Sequence, residues 1–432
     1  MTSRKKTAAV KSSSGLICPA DTLFDEAKIY AALKQDCANL QGSALRAAAV
    51  SVLRDAQKQG RAEIAAAFSD APFDARGMTR AYTHLTDQLV KAALFVATSY
   101  LHPKPNPTEG ERLSVIGVGG YGRGEMAPFS DVDLLFLIPY KATAWTESVV
   151  ESMLYALWDL KLKVGHATRT IKECLRLGAE DYTIQTALLE HRHITGEDLS
   201  EKLSNSLFAG NGRDFIEAKL SERESRHLKQ GQRYVVEPNV KEGKGGLRDL
   251  HSLFWIAKFI YKLDRVSDLV EKGVFRADEY ETFRAAEDFL WAVRGHLHLL
   301  TNRATEQLTF DMQVQVADAM GYQDTVGRRG VEVFMQAYFR HATAVGDLTR
   351  IFLSYLEAIH LKAEPLLERI FRRRPRIKAG YEVLHNRIAI SDDAAFLADK
   401  LNILRIFEEA LRTGMLIHPD AFKDLAEFVD QL

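Results

Sequence analysis

The segment Val115–Pro139, "VIGVGGYGRGEMAPFSDVDLLFLIP", combines an apolar run, a glycine-rich turn and a second apolar run that carries two aspartates. Side chains alternate between the two faces of a strand, so Asp131 and Asp133 would point to the same side. Two carboxylates this close repel each other, and burying them without a partner is costly. The pattern therefore predicts a divalent cation such as Mg²⁺, which takes carboxylate oxygens. The alternative is a strand whose polar face meets solvent, but the following "LLFLI" favours deep burial.

The glycines of this segment come directly after the first apolar run. Gly119 and Gly120 allow close approach of the backbone, and amide groups at the start of a helix suit a triphosphate. Arg123 would add a charged contact. The turn does not match the dinucleotide fingerprint, and it lacks the Gly-Lys-Ser/Thr ending of a P-loop. Its coupling to a D-x-D strand nevertheless predicts a joint phosphate and metal site.

Composition places the chain among ordinary globular proteins. It has 432 residues, enough for two or three domains, with 46% hydrophobic and 27% charged residues. The formal net charge is -1, so charge alone indicates neither nucleic-acid nor membrane binding. No apolar run approaches the length that spans a bilayer. Cys18, Cys37 and Cys174 form no disulfide or metal pattern, which predicts a cytoplasmic protein.

Three motifs carry a resemblance to a known family. Gly119-Gly120, ten intervening residues and then Asp131-Val132-Asp133-Leu134 resemble the signature of the DNA polymerase β-type nucleotidyltransferases. The longer string "GGYGRGEMAPFSDVDLLFL" resembles the branch that uridylylates the nitrogen-signalling PII protein, the bifunctional uridylyltransferase/uridylyl-removing enzymes. "WDLKLKVGHATRT" (158–170) and "EPNVKEGKGGLRDLHSLFWIAKF" (237–259) are similar to later segments of that family. The similarity covers roughly residues 101–352.

The resemblance implies a fold and an organisation along the chain. We expect an α+β protein, in which a small mixed-sheet nucleotidyltransferase domain is flanked by predominantly helical regions. The expected parts are a flexible tail (1–20), an N-terminal helical region (21–101), the nucleotidyltransferase domain (102–200), a helical linker domain (213–360) and a helical connector toward an HD domain (361–432).

The resemblance also implies a reaction. UTP·Mg²⁺ would bind with its phosphates on Gly119 and Gly120, and Asp131 and Asp133 would hold the metal. A tyrosine hydroxyl of the PII signal protein would attack the α-phosphorus and release pyrophosphate, with no role for nucleic acid or a membrane. The predicted nucleotide-binding set also includes Arg123, Ser130, Arg169, Lys241 and Arg248.

Several roles stay open at this level. Lys241, Lys244 and Arg248 crowd positive charge at a helix start, which indicates either an anion site at the cleft or a structural loop with Arg248 and Asp249 paired to neighbours. His166 is interpreted as a core histidine rather than a cleft residue. The basic run "RIFRRRPRIK" (369–378) is interpreted as a solvated face rather than a nucleic-acid patch.

A third metal-binding carboxylate, usual in the superfamily, cannot be assigned. The strand expected to supply it, "KLKVGHATR", contains no acid. Asp159, Glu173 and Asp181 are nearby in sequence, but none matches the position.

The family also carries an HD phosphohydrolase domain and glutamine-sensing ACT domains. This sequence has no His-Asp dipeptide and stops at Leu432, so we expect a truncated protein without the uridylyl-removing half. Two other functions remain open: an adenylyltransferase that acts on glutamine synthetase, and a regulatory module that binds nucleotide and PII without chemistry.

Overall fold

The computed structural model describes residues 15–104, 106, 108–204, 206–208, 212–230, 235–263, 265–356, 380–384, 387–391, 402–413, 415–418 and 421. The chain divides into two compact units. The first comprises Met1–Asp264 and Thr282–Ala344, and the second comprises Arg265–Glu281 and Val345–Leu432. The linker region predicted over 213–360 therefore contributes to both units.

The first unit begins with helices. These are α1 (Ala20–Leu23), α2 (Glu26–Cys37), α3 (Gly42–Asp70) and α4 (Ala75–Val96), followed by a π-helical turn, Ala97–Leu101. Asp25 and Asp74 begin α2 and α4, because each side chain accepts a hydrogen bond from a backbone amide in the first turn. In α3 the buried residues recur at helical spacing, so one face of the helix packs into the core.

A four-stranded mixed sheet follows, and it confirms the predicted α+β class. Its elements are β1 (Ser114–Gly117), α5 (Gly119–Gly122), β2 (Val132–Ile138), α6 (Ala144–Asp159), β3 (Val164–Thr170), α7 (Ile171–Glu180), α8 (Tyr182–Leu189) and β4 (Arg192–Gly196). The strand order is β3-β2-β1-β4. β1 is antiparallel to β2 and β4, whereas β2 and β3 are parallel and joined through α6. The predicted strand of the aspartates and the strand expected at "KLKVGHATR" are both present, as β2 and β3.

One face of this sheet is covered by α7 and α8. Ile116, Leu135 and Leu137 pack there against Cys174 and Leu188. Because side chains alternate along β2, the same face carries Asp133 at the beginning of the strand. The aspartate therefore stands at the edge of a closed apolar core.

Helices make up most of the rest of the first unit. They are α9 (Ser200–Ser204), α10 (Gly212–Gln230), α11 (Leu247–Tyr261), most of α13 (Ala277–Thr301), α14 (Phe310–Ala319) and the first part of α15 (Gly330–Leu356). Asn239 and Gln307 form an isolated antiparallel bridge that ties the segment before α11 to the segment after α13. No helix in the described ranges is long and apolar enough to cross a membrane.

The second unit contains α12 (Asp268–Glu271), the ends of α13 and α15, and a small sheet. Its strands are β5 (Tyr381–Leu384), β6 (Arg387–Ile390) and β7 (Leu416–Ile417), with α16 (Asn402–Thr413) between β6 and β7. Ile388, Ile390, Ile406 and Ile417 form its core. Strands thus occur where we expected a helical connector. Most of the predicted tail, residues 1–14, and the basic run 369–378 lie outside the described residues.

Candidate active site

Asp131 and Asp133 lie side by side at the start of β2. Asp131 is exposed and immediately precedes the strand, and Asp133 is half-buried as its second residue. Burial and the neighbouring charge of Asp131 raise the pKa of Asp133. Within the described part of the chain, no hydrogen bond or ion pair satisfies either carboxylate. Two adjacent carboxylates with no such partner are a donor set that fits a divalent metal ion.

Glycines flank the Asp133 carboxylate on two sides. A Cβ at Gly165, its partner on β3, would lie 2.5 Å from Oδ1. A Cβ at Gly119 would lie 3.6 Å from Oδ2, and Gly119 has a φ of +59°, which favours glycine. The amide of Val118 donates to the carbonyl of Asp133 at 3.0 Å, which holds the glycine turn against the strand. The carboxylate thus packs against bare backbone, where a side chain at Gly165 would displace it.

Lys241, in the motif at residues 237–259, contributes a positive charge near Asp133. It belongs to the segment that leads into α11, and its positive charge acts on Asp133, where it partly offsets the raised pKa. Burial, together with the charges of Arg294 and Arg248, lowers the pKa of Lys241 itself. A cation more than a hundred residues away in sequence therefore lies near the aspartate pair.

Arg248 and Asp249 of this motif are paired within the helical part. Arg248 donates to Glu242 at 3.0 Å and lies over the ring of Trp255. Asp249 is fully buried, and it accepts from the amide of Gly245 at 2.9 Å and contacts Arg226 and His227. These pairings match the structural-loop interpretation for Arg248 and Asp249, whereas the charge of Lys241 acts on Asp133.

Arg123 is engaged in a buried ion-pair cluster. Its guanidinium bonds to Glu125 at 2.7 Å and to Glu190, and it approaches Nε2 of His251 at 3.4 Å. Donor atoms of Glu125, His251 and Glu287 lie within 4.8 Å of one another, a spacing that a metal ion can bridge. Because Arg123 already places a positive charge among them, the cluster is one of ion pairs.

Ser130 and Arg169 do not meet at Asp133. The Ser130 hydroxyl accepts from the amide of Ala127 at 2.9 Å and closes the turn before Asp131. Arg169 pairs with Leu137 on the adjacent strand, four residues beyond the Asp133–Gly165 pair. At the rise of a β-strand this separation is roughly 13 Å.

His166 and the acids considered as third ligands also have definite places. His166 is exposed on the edge strand and lies beside the ring of Trp158, so the core-histidine prediction is wrong. Glu173 forms a capping box with Thr170, and Asp181 caps α8. Asp159 is exposed at the end of α6. The third ligand stays unassigned.

Sequence reasoning missed two residues that hold the loop before the aspartates. The amide of Phe129 donates to Nδ1 of His298 at 3.2 Å, and Nε2 of His298 lies 3.5 Å from Glu306. The available signal was "GHLHLL", which places two histidines in an otherwise apolar stretch of α13.

Comparison with known proteins gives matches over both parts of the site. Residues 214–353 match a family described as GlnD PII-uridylyltransferase. Residues 16–162 match one described as glutamate-ammonia ligase adenylyltransferase. Bifunctional uridylyltransferase/uridylyl-removing enzymes of Ruegeria pomeroyi and Cereibacter sphaeroides are 63% and 58% identical over 93% and 96% of this chain.

This chain is homologous to the bifunctional uridylyltransferase/uridylyl-removing enzymes. The enzyme of that name from Rhodospirillum rubrum is 46% identical over 88% of the chain. The chain spans about 45% of the length of the Ruegeria and Cereibacter relatives. These relatives carry the uridylyltransferase name, so the adenylyltransferase alternative is not favoured.

Proposed function

We propose that this chain is the nucleotidyltransferase part of an enzyme that moves UMP from UTP to a tyrosine hydroxyl of the PII signal protein and releases pyrophosphate. The observation that carries the proposal is that Asp131 and Asp133 lie beside the bare backbone of Gly119 and Gly165 and that the charge of Lys241 acts on Asp133. The homologous uridylyltransferases support the choice of nucleotide and acceptor. The three free cysteines support a cytoplasmic setting.

Different residues around Asp133 would bind the metal and contact the phosphates. Asp131 and Asp133 would hold Mg²⁺, which when bound neutralises charge on the transferring phosphoryl group and the leaving pyrophosphate. Gly119 and Gly120 let the triphosphate approach the backbone, because no side chain stands between. Lys241 adds a positive charge near Asp133. Catalysis of this kind rests on positioning and on charge stabilisation.

Arg123, Arg248, Ser130 and Arg169 would then contribute indirectly. Arg123 and Arg248 hold the glycine turn and the α11 entry through Glu125 and Glu242. Ser130 shapes the turn that leads into Asp131. Arg169 lies on the same sheet face as Asp133, and contact with a nucleotide would require the ligand to extend along β3.

The direct test is the mass of PII after incubation with this chain, UTP and Mg²⁺. We expect PII to gain the mass of one UMP per modified tyrosine, with one pyrophosphate released for each. ATP with glutamine synthetase serves as the matched alternative pair and should give no product. Binding of UTP without pyrophosphate release would instead identify a regulatory module without chemistry.

A further inference from the structure

A single buried histidine connects the loop before the aspartates to the helical part of the first unit. His298 lies on α13, and its side chain has no exposed surface. Its Nδ1 accepts a hydrogen bond from the backbone amide of Phe129 at 3.2 Å. Phe129 is two residues before Asp131, in the turn that the Ser130 hydroxyl closes. The position of the first aspartate therefore depends on a contact from a distant helix.

This hydrogen bond determines which nitrogen of the ring carries the proton. An amide N–H donates to Nδ1 only if Nδ1 is unprotonated, so the proton of the neutral ring lies on Nε2. Nε2 faces Oε1 of Glu306 at 3.5 Å. Burial lowers the pKa of His298, which keeps the ring neutral. The Glu306 carboxylate thus favours the tautomer that Phe129 requires.

Glu306 is itself held rigidly and reaches the second loop of the site. Arg294 donates to both of its carboxylate oxygens at 2.8 Å. The carbonyl of Glu306 accepts from the amide of Val240 at 2.9 Å, directly before Lys241. One short segment after α13 therefore contacts, directly or through His298, both the loop that carries Asp131 and the loop that carries Lys241.

We propose that His298 is a positioning residue, which holds the Phe129 amide and thereby keeps Asp131 aligned with Asp133. This role rests on the proposed function, because it concerns the metal-holding pair of that reaction. His298 does not touch the reacting atoms; it acts through the backbone of the Phe129–Asp131 turn. Loss of its Nδ1 acceptor leaves the part-buried N–H of Phe129 without its partner, which costs free energy.

Two substitutions separate the two nitrogens of the ring. In His298→Asn the side-chain oxygen can stand near the former Nδ1 and accept from Phe129. In His298→Gln the amide group reaches toward the former Nε2, and the acceptor near Phe129 is lost. Both variants are polar and smaller than histidine, so each serves as the control for the other.

We expect His298→Gln to lower kcat by about tenfold or more, as misplacement of a catalytic group does. The metal concentration that gives the half-maximal rate should rise, while KM for UTP changes little because the glycine turn is intact. His298→Asn should restore kcat to within about threefold of the unsubstituted chain, the cost of a slightly weaker hydrogen bond. Equal loss in both variants, or no loss in either, would overturn the proposal.

Amide exchange tests the same contact without any activity. Hydrogen–deuterium exchange of the peptide 126–132 should be faster in His298→Gln than in His298→Asn, with no difference between the two variants in α4 or α6. If the unsubstituted chain transfers no UMP, the proposed function fails, yet this exchange difference still decides whether His298 holds Phe129.

Glu306→Gln provides a second variant if His298→Gln does not fold. The glutamine amide can donate to Nε2, so the proton can move to Nδ1 and oppose the Phe129 amide. We expect faster exchange at 126–132 and, as for His298→Gln, a higher metal concentration for the half-maximal rate. Exchange at this peptide identical to that of the unsubstituted chain would contradict the role assigned to the tautomer.

Discussion

Gly165 leaves so little space beside Asp133 that a Cβ at position 165 would lie 2.5 Å from the carboxylate oxygen Oδ1. A side chain there has to displace the carboxylate. We predict that Gly165→Ala lowers the rate of UMP transfer by about a hundredfold, since a misplacement of about 1 Å has an effect of this size. The fold should persist, because Gly165 is exposed on an edge strand and its φ is not positive.

Gly212→Ala is the matched control for Gly165→Ala. A Cβ at Gly212 would have no heavy atom within 4 Å, and its φ is not positive either. This variant should retain full activity. Steady-state rates and thermal unfolding of both proteins check the prediction, which fails if Gly165→Ala turns over normally.

Asp131→Asn and Asp133→Asn should each reduce transfer by at least about a hundredfold. Each change removes one of two negative charges on which a divalent ion would depend, and metal-assisted charge stabilisation supplies several kcal/mol. Asp159→Asn changes an exposed acid at the end of α6 and should leave the rate unaltered. Pyrophosphate release with UTP, Mg²⁺ and PII measures all three. Normal turnover of both site variants would show that Asp131 and Asp133 are not required for transfer.

The raised pKa of Asp133 predicts how stability depends on pH. Its pKa in the folded chain exceeds the ordinary value of 3.8, so the folded state binds this proton more tightly than the unfolded state does. Stability from this group is therefore lost as pH rises from about 4 through the raised pKa, and it stays lost at neutral pH.

Asp133→Asn removes this penalty, so its melting temperature should exceed that of the unsubstituted chain at pH 7 in the presence of a chelator. The advantage should shrink as the pH approaches about 4, where the aspartate of the unfolded chain becomes protonated. Thermal unfolding across this range provides the measurement. A variant that melts below the parent at pH 7 would show that the carboxylate is stabilised in the folded chain.

Lys241→Gln should raise KM for UTP more than it lowers kcat. The lysine brings positive charge to the aspartate pair, and this charge would attract a triphosphate before and during transfer. We expect an increase in KM of about tenfold, equivalent to about 1.4 kcal/mol. Lys244→Gln is the control, because Lys244 is exposed in the same loop. Equal KM values for the two variants would show that Lys241 does not contribute to nucleotide binding.

Asp249→Asn should destabilise the helical part of the first unit. The carboxylate is fully buried and contacts Arg226 and His227, so neutralising it leaves buried positive charge uncompensated. Breaking such a pair costs about 3–5 kcal/mol. Urea unfolding measures the loss, and Asp214→Asn, an exposed acid in the first turn of α10, should cost less than about 1 kcal/mol. A similar stability for both variants would contradict the predicted importance of the buried cluster.

The glycine turn and the aspartate pair could be predicted from the sequence because they depend on local chemistry. Glycines that tolerate positive φ, the alternation of a strand and the cost of adjacent carboxylates all act over a few residues, and they predicted the turn at Gly119 and the paired side chains of Asp131 and Asp133. The prediction failed for His166, because an edge strand exposes a side chain that an inner strand would bury.

The sequence by itself determined the glycine turn and the aspartate pair, because strand alternation and backbone preference are local properties, and the resemblance of its motifs implied the α+β class. Only the tertiary structure decided that Lys241 approaches Asp133, that Arg123 is paired with Glu190, and that His298 holds Phe129. These partners are 67 to 169 residues apart in sequence and belong to separate motifs. Their contact depends on how the helices pack around the sheet. No local pattern encodes such a distance, so the site is completed only when the chain has folded.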